Sequence, residues 1–168
     1  AVVKNVTWAC MQGDLKFIRL LGEMGCKISE TPDGIEVQGV PGGKLKGITV
    51  DMKDFSDQAM TLAAIAPFAD GVVRIENIGH IRLQESDHIH AIATELSRLG
   101  VRCDEEPDAV TIYPGEPKAA VVHTYDDHRM AMAFALTGLR TEGVEIADPM
   151  CCAKTFETYF AVLDRLCQ

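Results

Sequence analysis

Four short stretches of this sequence concentrate ionisable side chains at places where an apolar segment begins. Asp54-Phe55-Ser56-Asp57 precedes an Ala/Met-rich run. Arg82-Leu83-Gln84-Glu85-Ser86-Asp87-His88 precedes a periodic apolar segment. Asp126-Asp127-His128-Arg129 stands before Met130 to Leu136, and Lys154 stands before an aromatic segment near the C-terminal end. These are the residue types of proton transfer and anion binding. Asp57 and Glu85 are carboxyls that can take or give a proton. Arg129 and Lys154 can clamp a phosphate or carboxylate, Arg through its planar fork of donors. A helix start adds free N–H groups and partial positive charge, which also suit an anion. Asp and Ser are ordinary helix caps in the same places. A cap accounts for Asp126 or Asp127. It does not account for the guanidinium of Arg129 at the start of an apolar helix.

Other chemistries find little support. His88 and His90 form an H-x-H pair, but on a helix such positions point to different faces, and no Cys or acidic set has zinc spacing. No metal is expected. There is no Gly-rich phosphate loop and no G-x-S-x-G elbow. The six cysteines form no C-x-x-C pair, which suits a reducing, cytoplasmic setting. Cys26 and Cys103 read as small core residues, and Cys151-Cys152 as packed thiols. The net charge of −9 argues against nucleic acid as a partner. It leaves room for a small anion only where cations cluster locally. No apolar run reaches the ~20 residues of a membrane helix, and no secretory signal is visible.

The elements that must position these residues come as a repeat. Leu21 to Gly39 aligns with Leu96 to Pro114, placing Gly25 on Gly100, Pro32 on Pro107, Asp33 on Asp108 and Ile35 on Val110. Each copy reads as the end of an amphipathic helix capped by Gly, then a strand, a Pro-Asp turn and a second strand. Phe17, Ile18, Leu21 and Met24 fall at helical intervals. So do Ile89, Ile92, Ala93, Leu96 and Leu99, with Ser86 as N-cap and Asp87 in the first turn. A last helix would show Phe156, Tyr159, Phe160, Leu163 and Leu166 on one face.

Ser56 to Asn77 also matches Asp127 to Asp148. Both run from a polar start through an Ala/Met-rich helix and a Gly turn to an alternating strand. Helices apolar all round are buried on most sides. The reading is an α/β (α+β) fold of repeated βαβαββ units, with buried helices and mixed sheets outside them, forming one domain over residues 1–168. One unit is complete from about Gly47 to Pro114, and partial copies flank it. Val40 to Leu45 and Gly115 to Lys118 read as loops.

The motifs resemble the enolpyruvyl transferase family, and within it the C-terminal part of the EPSP synthases (3-phosphoshikimate 1-carboxyvinyltransferases). The resemblance rests on Met11-Gln12-Gly13-Asp14, on DMKDFSDQAM from Asp51, on RLQESDH from Arg82, on YDDHRMAM from Tyr125 and on CCAKTF from Cys151. The UDP-N-acetylglucosamine enolpyruvyl transferases resemble it less. The resemblance implies an enolpyruvyl transferase-like domain, most of one of two domains whose shared cleft holds the active site. The missing N-terminal domain would be its partner. It also implies transfer of the enolpyruvyl group of phosphoenolpyruvate to the 5-hydroxyl of shikimate 3-phosphate, without metal or organic cofactor. Asp57 would be the base near that hydroxyl and Glu85 the proton donor to C3. Arg129 and Lys154 would bind phosphoenolpyruvate, His128 would support the site, and Gln84 and His88 would stand at substrate-binding positions. The chain departs from the family pattern there. Gln84 replaces a lysine, His88 an arginine, His80 an asparagine and Ser56 a proline. Two positive charges are weakened or lost, so a divergent, non-catalytic binding or scaffold domain is the alternative. The chain alone is expected to fold but not to turn over.

Overall fold

The computed structural model describes residues 1–167. The chain runs β1 (Val2–Lys4), α1 (Leu15–Glu23), β2 (Lys27–Thr31), β3 (Gly34–Gln38), β4 (Ile48–Asp51), α2 (Ala59–Ile65) and β5 (Val73–Glu76). It continues through α3 (His88–Arg98), β6 (Cys103–Glu105), β7 (Ala109–Ile112), β8 (Ala120–Val122), α4 (His128–Gly138), β9 (Val144–Ile146), α5 (Ala153–Phe156) and α6 (Tyr159–Leu166). The segment from β4 to β7 is the complete βαβαββ unit that the repeat predicts. Its four strands lie in the order β4-β5-β7-β6, with β4 and β5 parallel and the other two pairs antiparallel. The flanking copies are partial. One contributes β1-β3-β2, and the other the parallel pair β8-β9 crossed by α4.

The repeat is visible in how the helices end. Gly25 and Gly100 both take positive φ just past α1 and α3. In each case the next amide reaches back to the third residue from the helix end, Cys26 N–H to Leu21 C=O and Val101 N–H to Leu96 C=O, both at 2.9 Å. This is the Schellman closure that glycine permits. The Pro-Asp turns also form, Pro32-Asp33 joining β2 to β3 and Pro107-Asp108 joining β6 to β7. Gly34 is required where the first turn meets β1, because a Cβ there would collide with the Val3 carbonyl.

The Ala/Met helices are central, as their composition requires. Met60, Leu62, Ala63 and Ala64 of α2 and Met130, Ala131 and Phe134 of α4 are fully buried, and the two helices pack along their lengths. Small side chains let the backbones approach. Thr137 of α4 is buried between them and donates to the Ala64 carbonyl at 2.8 Å. The sheet from β4 to β7 covers this core with Val73, Ile75, Val110 and Ile112.

Three local expectations are corrected. Asp87, not Ser86, caps α3, because its carboxylate is the group that accepts the His90 N–H at 3.0 Å. Ser86 Oγ is buried without a partner. The aromatic C-terminal helix is two pieces, since Glu157 and Thr158 separate α5 from α6. Neither piece has a buried residue, and Leu166 is 79% exposed. Cys26 is only half-buried and not part of the core, whereas Cys103, also half-buried, packs against it. Cys151 and Cys152 are buried, and burial pushes both thiols above their ordinary pKa, which fits packed and unreactive sulfur. No helix among the described residues is long and apolar enough to cross a membrane.

Candidate active site

The polar helix starts converge. Asp57 lies in the 3-10 turn that runs into α2, Glu85 in the turn before α3, and Arg129 in the first turn of α4. The Arg129 guanidinium joins all three elements. Its Nη2 donates to Asp57 Oδ2 at 2.8 Å, and its Nη1 lies 3.4 Å from Glu85 Oε1. All three side chains keep partial solvent access. Asp57, His128 and Arg129 line an open cleft of about 340 Å³, with Thr61, Thr155 and Tyr159 also in its walls.

Asp127 explains how Arg129 is aimed. It is the N-cap of α4, with its Oδ1 accepting the Arg129 N–H at 2.8 Å. Its other oxygen accepts from His88 Nε2 of α3, and both side chains are completely buried. Burial works against the Asp127 charge. The hydrogen bonds from His88 and from the Arg129 N–H outweigh it, and the carboxyl is held below the usual range. His88 therefore fixes the start of α4 against the start of α3 and does not face the open cleft. Its Nδ1 is buried without a partner.

His128 lies against the neighbouring guanidinium. Arg129 Nη1 can only donate, so His128 Nε2, 3.3 Å away, is the acceptor. Its Nδ1 is buried 3.8 Å from Asp127 Oδ1 and has no hydrogen bond. Lys154 is exposed, and its ammonium donates to the Asp126 carbonyl at 3.0 Å. It thus ties α5 to the loop before α4 and does not line the cleft. Gln84 is exposed on the turn before α3. Arg82 is spent on structure. It grips both oxygens of Asp87 at 2.8 and 2.7 Å and Glu105 at 2.9 Å.

Two of the departures from the family pattern touch each other. Ser56 Oγ and His80 Nε2 are 2.8 Å apart, beside Asp57 in sequence. Sequence reasoning missed one contributor. Glu95 of α3 is fully buried and accepts the His123 N–H at 3.0 Å and the Tyr125 hydroxyl at 2.7 Å. Burial, and after it this bond to Glu95, push the Tyr125 hydroxyl up to about 12. Its signal was present in the sequence, since Glu95 falls on the apolar stripe with Ile92 and Leu99.

Among the described residues, ligand atoms of Glu85, His88 and Asp127 lie within 4.8 Å of one another. Apart from His88 Nδ1, which is buried without a partner, these groups are engaged with one another and with Arg129. Asp127 holds His88 and the Arg129 N–H, and Glu85 faces Arg129. A cation there would have to break the α4 cap and would meet a guanidinium. The set fits an ion-pair network better than a metal centre.

Two carboxylates and one guanidinium at helix starts suit proton transfer beside a bound anion. Residues 1–163 match the family model described as EPSP synthase (3-phosphoshikimate 1-carboxyvinyltransferase).

The chain belongs to the EPSP synthase family.

The 3-phosphoshikimate 1-carboxyvinyltransferase of Nostoc punctiforme (strain ATCC 29133 / PCC 73102) is 51% identical over 158 residues, which are 94% of this chain and 37% of that protein. The chloroplastic one of Arabidopsis thaliana is 43% identical over 162 residues, 93% of this chain and 31% of that protein. Among solved structures, the EPSP synthase from Acinetobacter baumannii is similar with a TM-score of 0.78 and 27% identity, covering 88% of this chain and 38% of that one. The enolpyruvyl transferase NikO from Streptomyces tendae shares the fold, with a TM-score of 0.72 at 19% identity over 90% of this chain and 35% of its own. The chain thus spans well under half the length of the EPSP synthases it matches.

Proposed function

We propose that this chain is the part of an EPSP synthase that carries its acid–base residues. Together with a second domain it transfers the enolpyruvyl group of phosphoenolpyruvate to the 5-hydroxyl of shikimate 3-phosphate. The observation that carries this reading is Arg129, held between Asp57 and Glu85 at the edge of an open cleft. In the reaction, Glu85 gives a proton to C3 of phosphoenolpyruvate while the 5-hydroxyl oxygen bonds to C2. That hydroxyl passes its proton to Asp57. The tetrahedral adduct then breaks its C2–O bond to phosphate and gives up a C3 proton, which restores the double bond. Arg129 holds the phosphoenolpyruvate anion and His128 orients the guanidinium, while Lys154, outside the cleft in this structure, serves as a second cation once its ammonium leaves the Asp126 carbonyl. Gln84 adds a polar side chain at the substrate edge. His88 acts at one remove, through Asp127. Residues 1–168 form one enolpyruvyl transferase domain, and the other wall of the cleft comes from the N-terminal domain. The chain alone therefore folds but does not turn over.

The test is a coupled assay of the full-length gene product. Phosphate should appear only when both substrates are present. A second reading, a non-catalytic domain of the same fold, draws on a specific observation: His88 is buried against Asp127 and Gln84 is uncharged, where the family pattern has two cations. Absence of phosphate release at saturating substrate would favour it.

A further inference from the structure

The loop that delivers Asp127, His128 and Arg129 is held in a costly shape. Tyr125 and Asp126 both take left-handed backbone conformations, with φ of 56° and 55°. Such conformations persist in residues other than Gly only where surrounding contacts impose them. Asp, like Asn, visits this region more readily than bulky residues, so the Tyr125 conformation is the one that most needs a cause. The hydrogen bonds identify it. The His123 N–H and the Tyr125 hydroxyl, on either side of Thr124, both end on the Glu95 carboxylate. That carboxylate is completely buried on α3, and Arg98 Nε is its third donor at 3.2 Å. Although the Tyr125 ring is 39% exposed, its hydroxyl is drawn inward to this group.

We infer that Glu95 and Tyr125 are positioning residues for the site. The buried carboxylate clamps the β8–α4 loop in its left-handed turn, and the turn sets where Asp127 caps α4 and where Arg129 meets Asp57 and Glu85. Neither residue lines the cleft, and both act through Arg129. Lys154 adds a bond to the same loop, donating to the Asp126 carbonyl at 3.0 Å. Without Glu95 the turn has no reason to keep Tyr125 left-handed. The loop would relax toward extended backbone, and the first turn of α4 would lose its fixed cap.

This inference rests on the enolpyruvyl transfer reading, and its test separates the two. In the full-length protein, Tyr125→Phe removes one hydroxyl and keeps the ring. Loss of a hydrogen bond to a charged group should raise KM for phosphoenolpyruvate about ten-fold with a smaller change in kcat. Glu95→Gln keeps an acceptor for the hydroxyl and should raise KM less than Tyr125→Phe does. Thr137→Val, which removes a buried hydrogen bond elsewhere on α4, is the control for plain destabilisation. It should lower Tm comparably and leave KM unchanged. Hydrogen exchange at the Asp127 and Arg129 amides should accelerate about ten-fold in Tyr125→Phe and not in Thr137→Val. If the wild-type protein releases no phosphate, the transfer reading fails, and exchange alone decides the clamp. Equal KM shifts in Tyr125→Phe and Thr137→Val, or unchanged exchange at those two amides in Tyr125→Phe, would overturn it.

Discussion

The Arg129 guanidinium lies 2.8 Å from the Asp57 carboxylate, across a sequence separation of 72 residues and two elements of the repeat. The pair is partly exposed, with the two side chains retaining 27% and 47% of their accessible surface. Ion pairs this open contribute about 0–1 kcal/mol to stability. The Arg129→Gln variant should therefore fold with a Tm close to that of the parent. Binding is another matter, because the guanidinium is the one cation lining the cleft among the described residues. Removing a charge-assisted clamp of about 1.5–3 kcal/mol should weaken phosphoenolpyruvate binding roughly ten- to a hundred-fold. Calorimetric titration and thermal melts of the full-length protein measure the two effects separately. Loss of Tm with unchanged affinity would reverse the assignment.

Asp57 and Arg129 also compete with substrate in a readable way. In the unliganded site, Asp57 neutralises the guanidinium that an incoming anion needs. Asp57→Asn removes the proposed base and that competitor at once. Turnover should fall by about 10²–10⁴, while KM for phosphoenolpyruvate stays level or drops. Glu85→Gln should lose turnover on the same scale, with little change in Tm because Glu85 is 44% exposed. The double variant should be hardly worse than the slower single one, since the two groups serve one reaction. Additive losses in kcat would show that the carboxyls act in separate processes.

Much of this arrangement was legible in the sequence, and the rest failed for local reasons. Gly25 and Gly100 marked two helix ends because only a residue without Cβ takes that conformation freely. Pro32-Asp33 and Pro107-Asp108 marked two turns for a similar reason. The apolar character of Met130 to Leu136 announced a buried helix. The repeat placed polar helix starts at equivalent positions, but whether they converge, and which of them touch, depended on tertiary packing. The fate of His88 was hidden because burial is not written in a polar motif. It stands at a family cation's place, yet it serves Asp127. Glu95 was overlooked because a lone acid in a periodic helix is normally solvated, and its partners lie 28 and 30 residues further on. The final aromatic segment promised one helix face, but its apolar side meets little in this chain and the helix is interrupted.

The His88–Asp127 pair should make itself felt in acid. Asp127 has its folded-state pKa held below the unfolded value of about 3.9. A depressed carboxyl contributes stability that is present in full above the unfolded pKa. That contribution is lost as pH falls through the folded value. The parent should thus lose stability below about pH 4, and Asp127→Asn should show a shallower dependence there. His88→Ala leaves a buried carboxylate with one partner fewer and should cost about 1–3 kcal/mol near neutral pH. Denaturant titrations between acid and neutral pH measure both effects. A Tm for His88→Ala within a degree of the parent would mean that Asp127 is not a buried anion.

The last test concerns the strand that leads to Asp57. Gly47 precedes β4, and a Cβ added there would stand 2.5 Å from the Gly71 carbonyl carbon and 2.6 Å from the Val72 oxygen. These are backbone atoms and cannot swing aside. The collision sits at the mouth of the parallel pairing of Ile48 with Val73, so relief would shift β4 away from β5. Such overpacking typically costs about 1–3 kcal/mol. Gly39 is the matched control, since a Cβ there meets nothing within 4 Å and its φ lies outside the left-handed region. Gly39→Ala should be neutral or slightly stabilising, because it only restricts the unfolded chain. Gly47→Ala should lower Tm clearly, and in the full-length protein it should also reduce kcat, as β4 leads directly into the turn bearing Asp57. Equal Tm values for the two variants would show that β4 and β5 are not packed this closely.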